Sequence, residues 1–121
     1  MLKKALIVDD DENWRILYKH LFRELKDFAV ASTAENAEEA LKMVAELHPD
    51  LVVTDASLPG MSGLELTEKL RKDYPSLKIL IITSHDRNTF YARAIKAGAD
   101  EMVEKGSTDE MLKKIKRALD K

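Results

Sequence analysis

The chain has 121 residues, 20 of them basic and 22 acidic, for a net charge of −2; this fits one compact domain with its own core and gives no reason to expect direct nucleic-acid binding. Cysteine is absent, which excludes a disulfide framework and a thiolate metal site. No apolar segment of signal-peptide or membrane-spanning type is present, so a cytoplasmic protein with no membrane partner is the expectation.

Residues 5–8 are continuously apolar and read as a strand buried on both faces. Asp9 and Asp10 end this run, and Asp11 reads as the N-cap of the helix behind it. From Glu12 the period changes. Trp14, Leu17, Tyr18, Leu21, Phe22 and Leu25 share one face of a helix. Trp14 reads as packing that helix onto the sheet; one turn past the acidic pair, its fluorescence is expected to report on them. Residues 28–31 form a shorter, weaker strand. Ser32-Thr33-Ala34-Glu35 matches a capping box, followed by a helix with Ala37, Ala40, Leu41, Val44 and Leu47 on one face and His48-Pro49 at its end.

Residues 51–54 are the second strong strand, ending on Asp55. Leu58-Pro59-Gly60-Met61 is turn chemistry, and Ser62-Gly63-Leu64-Glu65 is a second capping box opening a helix to about Asp73. Residues 79–82 form the third strong strand, ending on Thr83 and Ser84. A helix over 89–97 follows, with Phe90, Ala94, Ile95 and Ala97 inward and Gly98 as its C-cap. Residues 102–104 are a brief strand before Lys105. A third box, Ser107-Thr108-Asp109-Glu110, starts a last helix with Leu112, Ile115 and Leu119 on its buried stripe. Its basic run, Lys113, Lys114, Lys116 and Arg117, reads as a solvated face.

Five strand–helix units in alternation predict an α/β fold, a doubly wound five-stranded parallel sheet with helices on both faces. The first, third and fourth strands are the most apolar and should be central, with the weaker second and fifth at the edges. That arrangement is the flavodoxin-like (βα)5 order 2-1-3-4-5, in which ligands bind at the carboxyl ends of the strands where strands 1 and 3 diverge. Asp9, Asp10 and Asp55 stand at those ends.

Carboxylates held together repel one another, and burial adds to the cost. A fold keeps such a cluster when a cation relieves it. An all-oxygen donor set favours a hard ion, and Mg²⁺ commonly takes one or two carboxylates with waters and a phosphate. Asp10 and Asp55 read as direct ligands, with Asp9 acting through water. An aspartate can also act as a nucleophile and form an aspartyl-phosphate. Phosphoryl transfer then needs positioning and charge neutralisation, for which Lys105 and Thr83 project at the same sheet edge.

With Asp9-Asp10 after Leu6-Ile7-Val8, Asp55 in Asp55-Ala56-Ser57-Leu58-Pro59-Gly60-Met61-Ser62-Gly63, Thr83-Ser84, and Lys105 after Ala97-Gly98-Ala99-Asp100, the sequence resembles a receiver domain of bacterial two-component response regulators. The resemblance spans essentially residues 1–121 as one such domain. It implies that Asp55 accepts a phosphoryl group from a histidine kinase or phosphotransfer protein, and that the product changes the surface offered to a downstream effector or to a second copy in a homodimer. It implies Mg²⁺, or Mn²⁺ in its place, on Asp9, Asp10, Asp55 and the Ser57 backbone carbonyl. The Ala56 amide, Thr83, Ser84 and Lys105 would receive the phosphoryl oxygens, and Ser57 and His85 occupy positions that influence dephosphorylation.

This sequence departs from the family pattern in three places. Ser62 replaces a common acidic residue and is an equally good N-cap. Gly106 replaces the proline that usually follows the lysine, so a trans peptide is expected there. Met102 stands where the fifth strand usually carries Tyr or Phe. The last two features resemble receivers of some DNA-binding regulators. Three other readings compete. A haloacid-dehalogenase-type phosphohydrolase would need a second aspartate two residues after Asp55, where Ser57 stands. A flavodoxin-like cofactor binder would need a hydroxyl- and glycine-rich loop where Asp9-Asp10-Asp11-Glu12 stands. A phosphorylation-independent docking module would keep the acidic pocket without using it.

Overall fold

The computed structural model describes residues 2–120. Its elements are β1 (Lys3–Val8), α1 (Glu12–Arg23), β2 (Phe28–Ala34), α2 (Ala37–Leu47), β3 (Leu51–Thr54), α3 (Gly63–Asp73), β4 (Lys78–Thr83), α4 (Arg87–Ala97), β5 (Glu101–Glu104) and α5 (Thr108–Leu119). The five strands form one parallel sheet in the order β2-β1-β3-β4-β5, as the strength of the apolar runs predicts. Residues 51–54 and 5–8 are buried throughout, whereas β2, at an edge, alternates.

Alternation along each strand divides the core. Ala5, Ile7, Val53, Ile82 and Val103 meet Tyr18, Leu21 and Phe22 of α1 and Met111 and Ile115 of α5 on one face. Leu6, Val8, Val52 and Ile79 meet α2 and α3 on the other through Ala40, Val44, Leu66 and Leu70. A smaller cluster places Phe90 and Ala94 of α4 over Ile81 and Met102. A leucine or isoleucine buried in this way contributes about 1.5–3 kcal/mol, and these two layers fix the sheet whose upper edge carries the acids.

The structure corrects three local expectations. Ser32-Thr33-Ala34 is not a helix start: β2 continues through it, pairing Ser32, Thr33 and Ala34 with Leu6, Ile7 and Val8 after a register shift. The N-cap of α2 is Asn36, whose Oδ1 accepts from the Glu39 amide at 2.8 Å. An edge strand tolerates hydroxyl side chains, so a Ser-Thr pair there is as comfortable in a ladder as at a cap. Asn36→Ala is therefore expected to cost about 1 kcal/mol, and Ser32→Ala under about 0.5 kcal/mol, in urea denaturation. A larger loss at Ser32 would contradict the assignment.

The second correction is α4, which begins at Arg87 with Asp86 as N-cap. The third is Ile95, which is exposed, because the inward stripe of α4 is only Phe90 and Ala94 wide. The other signals are present. Ser62 and Glu65 close their capping box from both sides, Ser107 caps α5, and Asp11 caps α1. Gly98 takes a left-handed φ of 114° after α4. No cis peptide occurs among the described residues, in line with the trans Lys105-Gly106 bond expected.

Candidate functional site

The parallel ladder carries the chemistry to one edge. The Asp9 amide donates to Ala34 O at 3.1 Å and the Asp55 amide to Val8 O at 3.0 Å, so each aspartate leaves its strand at the same height. The Lys105 amide donates to Thr83 O at 2.8 Å, which brings the ends of β4 and β5 level with them. Ligand oxygens of Asp9, Asp10 and Asp55 lie within 4.8 Å of one another. The cluster read from the sequence is therefore assembled.

Its members are not equivalent. Asp9 is fully buried, Asp10 is exposed and Asp55 is intermediate. Burial is the main cause that pushes the Asp9 carboxyl above its ordinary value of 3.8, against hydrogen bonds from the Asp11 amide and Lys105 that lower it. The Asp11 amide donates to Asp9 Oδ1 at 2.9 Å. Arg15 Nη1 donates to the Asp9 carbonyl at 2.7 Å and fixes the backbone below it. Lys105 Nζ bridges the cluster, 3.1 Å from Asp9 Oδ2 and 3.0 Å from Asp55 Oδ2, with a side chain only 7% exposed. One lysine against three carboxylates leaves the pocket negative, and an all-oxygen set of this kind fits a hard divalent cation.

Thr83 is buried, and its Oγ1 accepts from the His85 amide at 3.3 Å. Ser84 is exposed on the same loop. Ala56 is buried and its carbonyl accepts from the Gly63 amide at 2.9 Å. The Ser57 amide turns back to Asp55 Oδ1 at 3.3 Å. Ser57 Oγ meets His85 Nε2 at 3.1 Å, and the His85 ring stacks on Phe90 with centroids 4.5 Å apart.

Three features of the site were not read from the sequence. Trp14 lies with its ring 4.4 Å from Lys105 Nζ, a pairing of two distant segments that no local pattern signals. The Ser57–His85 bond joins the two positions expected to influence dephosphorylation, a contact that the spacing in the sequence does not signal. Gly63 sits so close beneath Asp55 that a Cβ there would fall 1.8 Å from the Asp55 carbonyl oxygen. A glycine at the first position of a helix, where it is a poor helix former, was the available signal. Behind the acids, the Tyr18 hydroxyl is buried without a hydrogen-bond partner. Burial first, then the charges of Asp9 and Asp55, raise it far above the ordinary tyrosine value.

A family model described as the response regulator receiver domain matches residues 5–116. The response regulator GacA of Pseudomonas aeruginosa is 33% identical over 115 residues, covering 94% of this chain and 54% of that protein. The chemotaxis protein CheY of Halobacterium salinarum is 36% identical over 105 residues, covering 87% of this chain and 86% of that one. Among solved structures, a two-component response regulator of the LuxR family from Aurantimonas sp. superimposes with a TM-score of 0.89 at 34% identity, covering 99% of this chain and 86% of that chain. The chain spans about half the length of the GacA regulators it matches.

Proposed function

The chain belongs to the response regulator receiver domain family, and from that premise we propose that it is a phosphoacceptor switch in two-component signal transduction, with Asp55 as the phosphorylated residue. The observation that carries this reading is the bridge of Lys105 Nζ to Asp9 and Asp55 at 3.1 and 3.0 Å. It marks Asp55 as the carboxylate that is both cation-paired and partly open to solvent, whereas Asp9 is sealed and Asp10 faces solvent.

In the reaction, an Asp55 Oδ forms a P–O bond to the phosphorus of a phosphohistidine on a histidine kinase or phosphotransfer protein. The P–N bond breaks, and its electron pair stays on the imidazole nitrogen, which takes up a proton. Positioning and neutralisation of the phosphoryl oxygens are the main demands on the protein. Lys105 supplies a positive charge, with Thr83, Ser84 and the Ala56 amide as hydrogen-bond donors. Mg²⁺ or Mn²⁺, held by Asp9, Asp10, Asp55 and the Ser57 carbonyl, would supply the remaining charge neutralisation. Ser57 and His85, already hydrogen-bonded to each other, flank the approach to Asp55 and are suited to govern how fast water removes the phosphoryl group.

The chain is then not an enzyme toward a separate substrate, beyond its own phosphorylation and dephosphorylation. It acts in the cytoplasm as one receiver domain over residues 1–121, and its phosphorylated form engages a downstream effector or a second copy of itself. The buried Met102 and the trans Lys105-Gly106 link replace the usual aromatic and proline, so an aromatic rotation at position 102 is not available to its signal.

The test is intact-mass measurement after incubation with acetyl phosphate and Mg²⁺, followed by borohydride reduction and peptide mapping. One phosphoryl adduct on Asp55, absent with chelator, is the expected result. No mass gain, or an adduct mapped elsewhere, would overturn the reading.

A further inference from the structure

We propose that Trp14 is a positioning residue for phosphoryl transfer, holding the Lys105 ammonium over the acidic pocket with the face of its indole; this deepens the phosphoacceptor reading and rests on it. Lys105 reaches from the end of β5, across β4 and β3, to Asp9 at the end of β1. Among the described residues, its own backbone is held by the bond of its amide to Thr83 O. On the other side stands Gly106, exposed and the least restrictive residue available. A four-carbon stem anchored in this way has many rotamers, and the loop does not select among them.

The selection comes from the opposite wall. Trp14 lies in the first turn of α1, whose N-cap Asp11 is tied to Asp9 through its amide. The ring packs in a tilted pair with Tyr18, one turn on, with centroids 5.8 Å apart. Its other neighbours are the apolar layer between α1, α5 and the sheet. The ammonium is thus fixed by two carboxylates and one aromatic face, and little of its side chain is exposed. An aromatic face attracts a desolvated cation most strongly when it is indole, and less so when it is phenyl. Asp9, Asp55 and Trp14 lie on elements that do not depend on the Lys105 loop, so the amine's position is set before any phosphoryl group arrives.

The experiment compares the wild type with Trp14→Phe, Trp14→Leu and Trp14→Met. The first readout is the NMR shift of the Lys105 ε-methylene protons, which the indole ring current moves upfield. The second is the rate of Asp55 phosphorylation by acetyl phosphate at fixed Mg²⁺, followed by intact mass. The ring-current shift is expected in the wild type, reduced in the Phe variant and lost in the Leu and Met variants. The phosphorylation rate should fall on the order of ten-fold in Leu and Met and recover most of the way in Phe. Two flexible apolar replacements guard against a folding defect in one of them. Leu and Met variants that lose the shift yet react at the wild-type rate would overturn the positioning role. So would a Phe variant no faster than Leu. A wild type that shows the ring-current shift but gains no phosphoryl group would instead sink the phosphoacceptor reading, with the Trp14–Lys105 contact intact.

Discussion

Gly63→Ala is expected to lower stability in urea denaturation by about 3 kcal/mol, and to disturb Asp55 in whatever fraction still folds. An ideal Cβ at Gly63 would stand 1.8 Å from the Asp55 carbonyl oxygen, 2.8 Å from its carbon and 2.9 Å from Ala56 Cα. All three are backbone atoms, so no side-chain rotation relieves the overlap. Both sides are also held in place. The Gly63 amide donates to Ala56 O at 2.9 Å, Thr67 Oγ1 donates to Gly63 O at 2.8 Å, and Thr54 Oγ1 donates to Asp55 O at 2.9 Å.

The helix start must therefore retreat and break these bonds, or the peptide after Asp55 must move and take the carboxylate with it. Gly106→Ala is the control. Its nearest contact would be Glu110 Oε2 at an ordinary 3.8 Å, and loss of backbone freedom in the unfolded chain favours alanine by about 0.4–1 kcal/mol. The two variants should move the urea midpoint in opposite directions. A Gly63→Ala protein as stable as Gly106→Ala, and phosphorylated as fast as the wild type, would contradict the close approach.

The parts of the architecture legible in the sequence were those set by strong local signals. Continuous apolar runs marked β1, β3 and β4, and their relative strength was enough to place β2 and β5 at the edges. The misreadings fell where one pattern serves two structures. Ser32-Thr33-Ala34-Glu35 satisfies a capping-box rule and also an edge-strand ladder, and only pairing with β1 decides between them. Ile95 follows the inward Ala94 by one residue, a rotation of about 100° that takes it out of a narrow stripe. The convergence of Asp9, Asp10, Asp55, Thr83 and Lys105 at one sheet edge was legible because each follows or ends a strand, and parallel topology brings strand ends together. The contact of Trp14 with Lys105, the close approach of Gly63 to Asp55 and the Ser57–His85 bond were not. Each depends on a contact between segments whose spacing in the sequence carries no period.

Lys105→Met is expected to destabilise the protein at neutral pH without divalent metal by about 2 kcal/mol, below the 3–5 kcal/mol typical of a fully buried pair because the pocket opens to solvent at Asp10. The deficit should shrink on mild acidification or on addition of Mg²⁺. Asp9 is the reason. Its carboxyl is already raised, chiefly by burial, and Lys105 is among the causes holding it down. Without the lysine it rises further.

A carboxyl whose folded pKa lies above its unfolded value binds its proton more tightly in the folded state. The stability it contributes is complete below the unfolded value of 3.8 and is lost as pH rises through the folded pKa. The variant therefore has more to lose on going to neutral pH, and its gap from the wild type is widest there and narrows toward acid. Mg²⁺ acts in the same direction by binding the folded state alone, with more to offset where the lysine charge is missing. Urea denaturation at neutral and mildly acidic pH, with chelator and with Mg²⁺, measures both dependences. A deficit that stays constant across pH and metal would mean that the lysine stem stabilises by packing under Trp14. A deficit that closes identifies its charge as what offsets the burial of the Asp9 carboxyl in the folded protein.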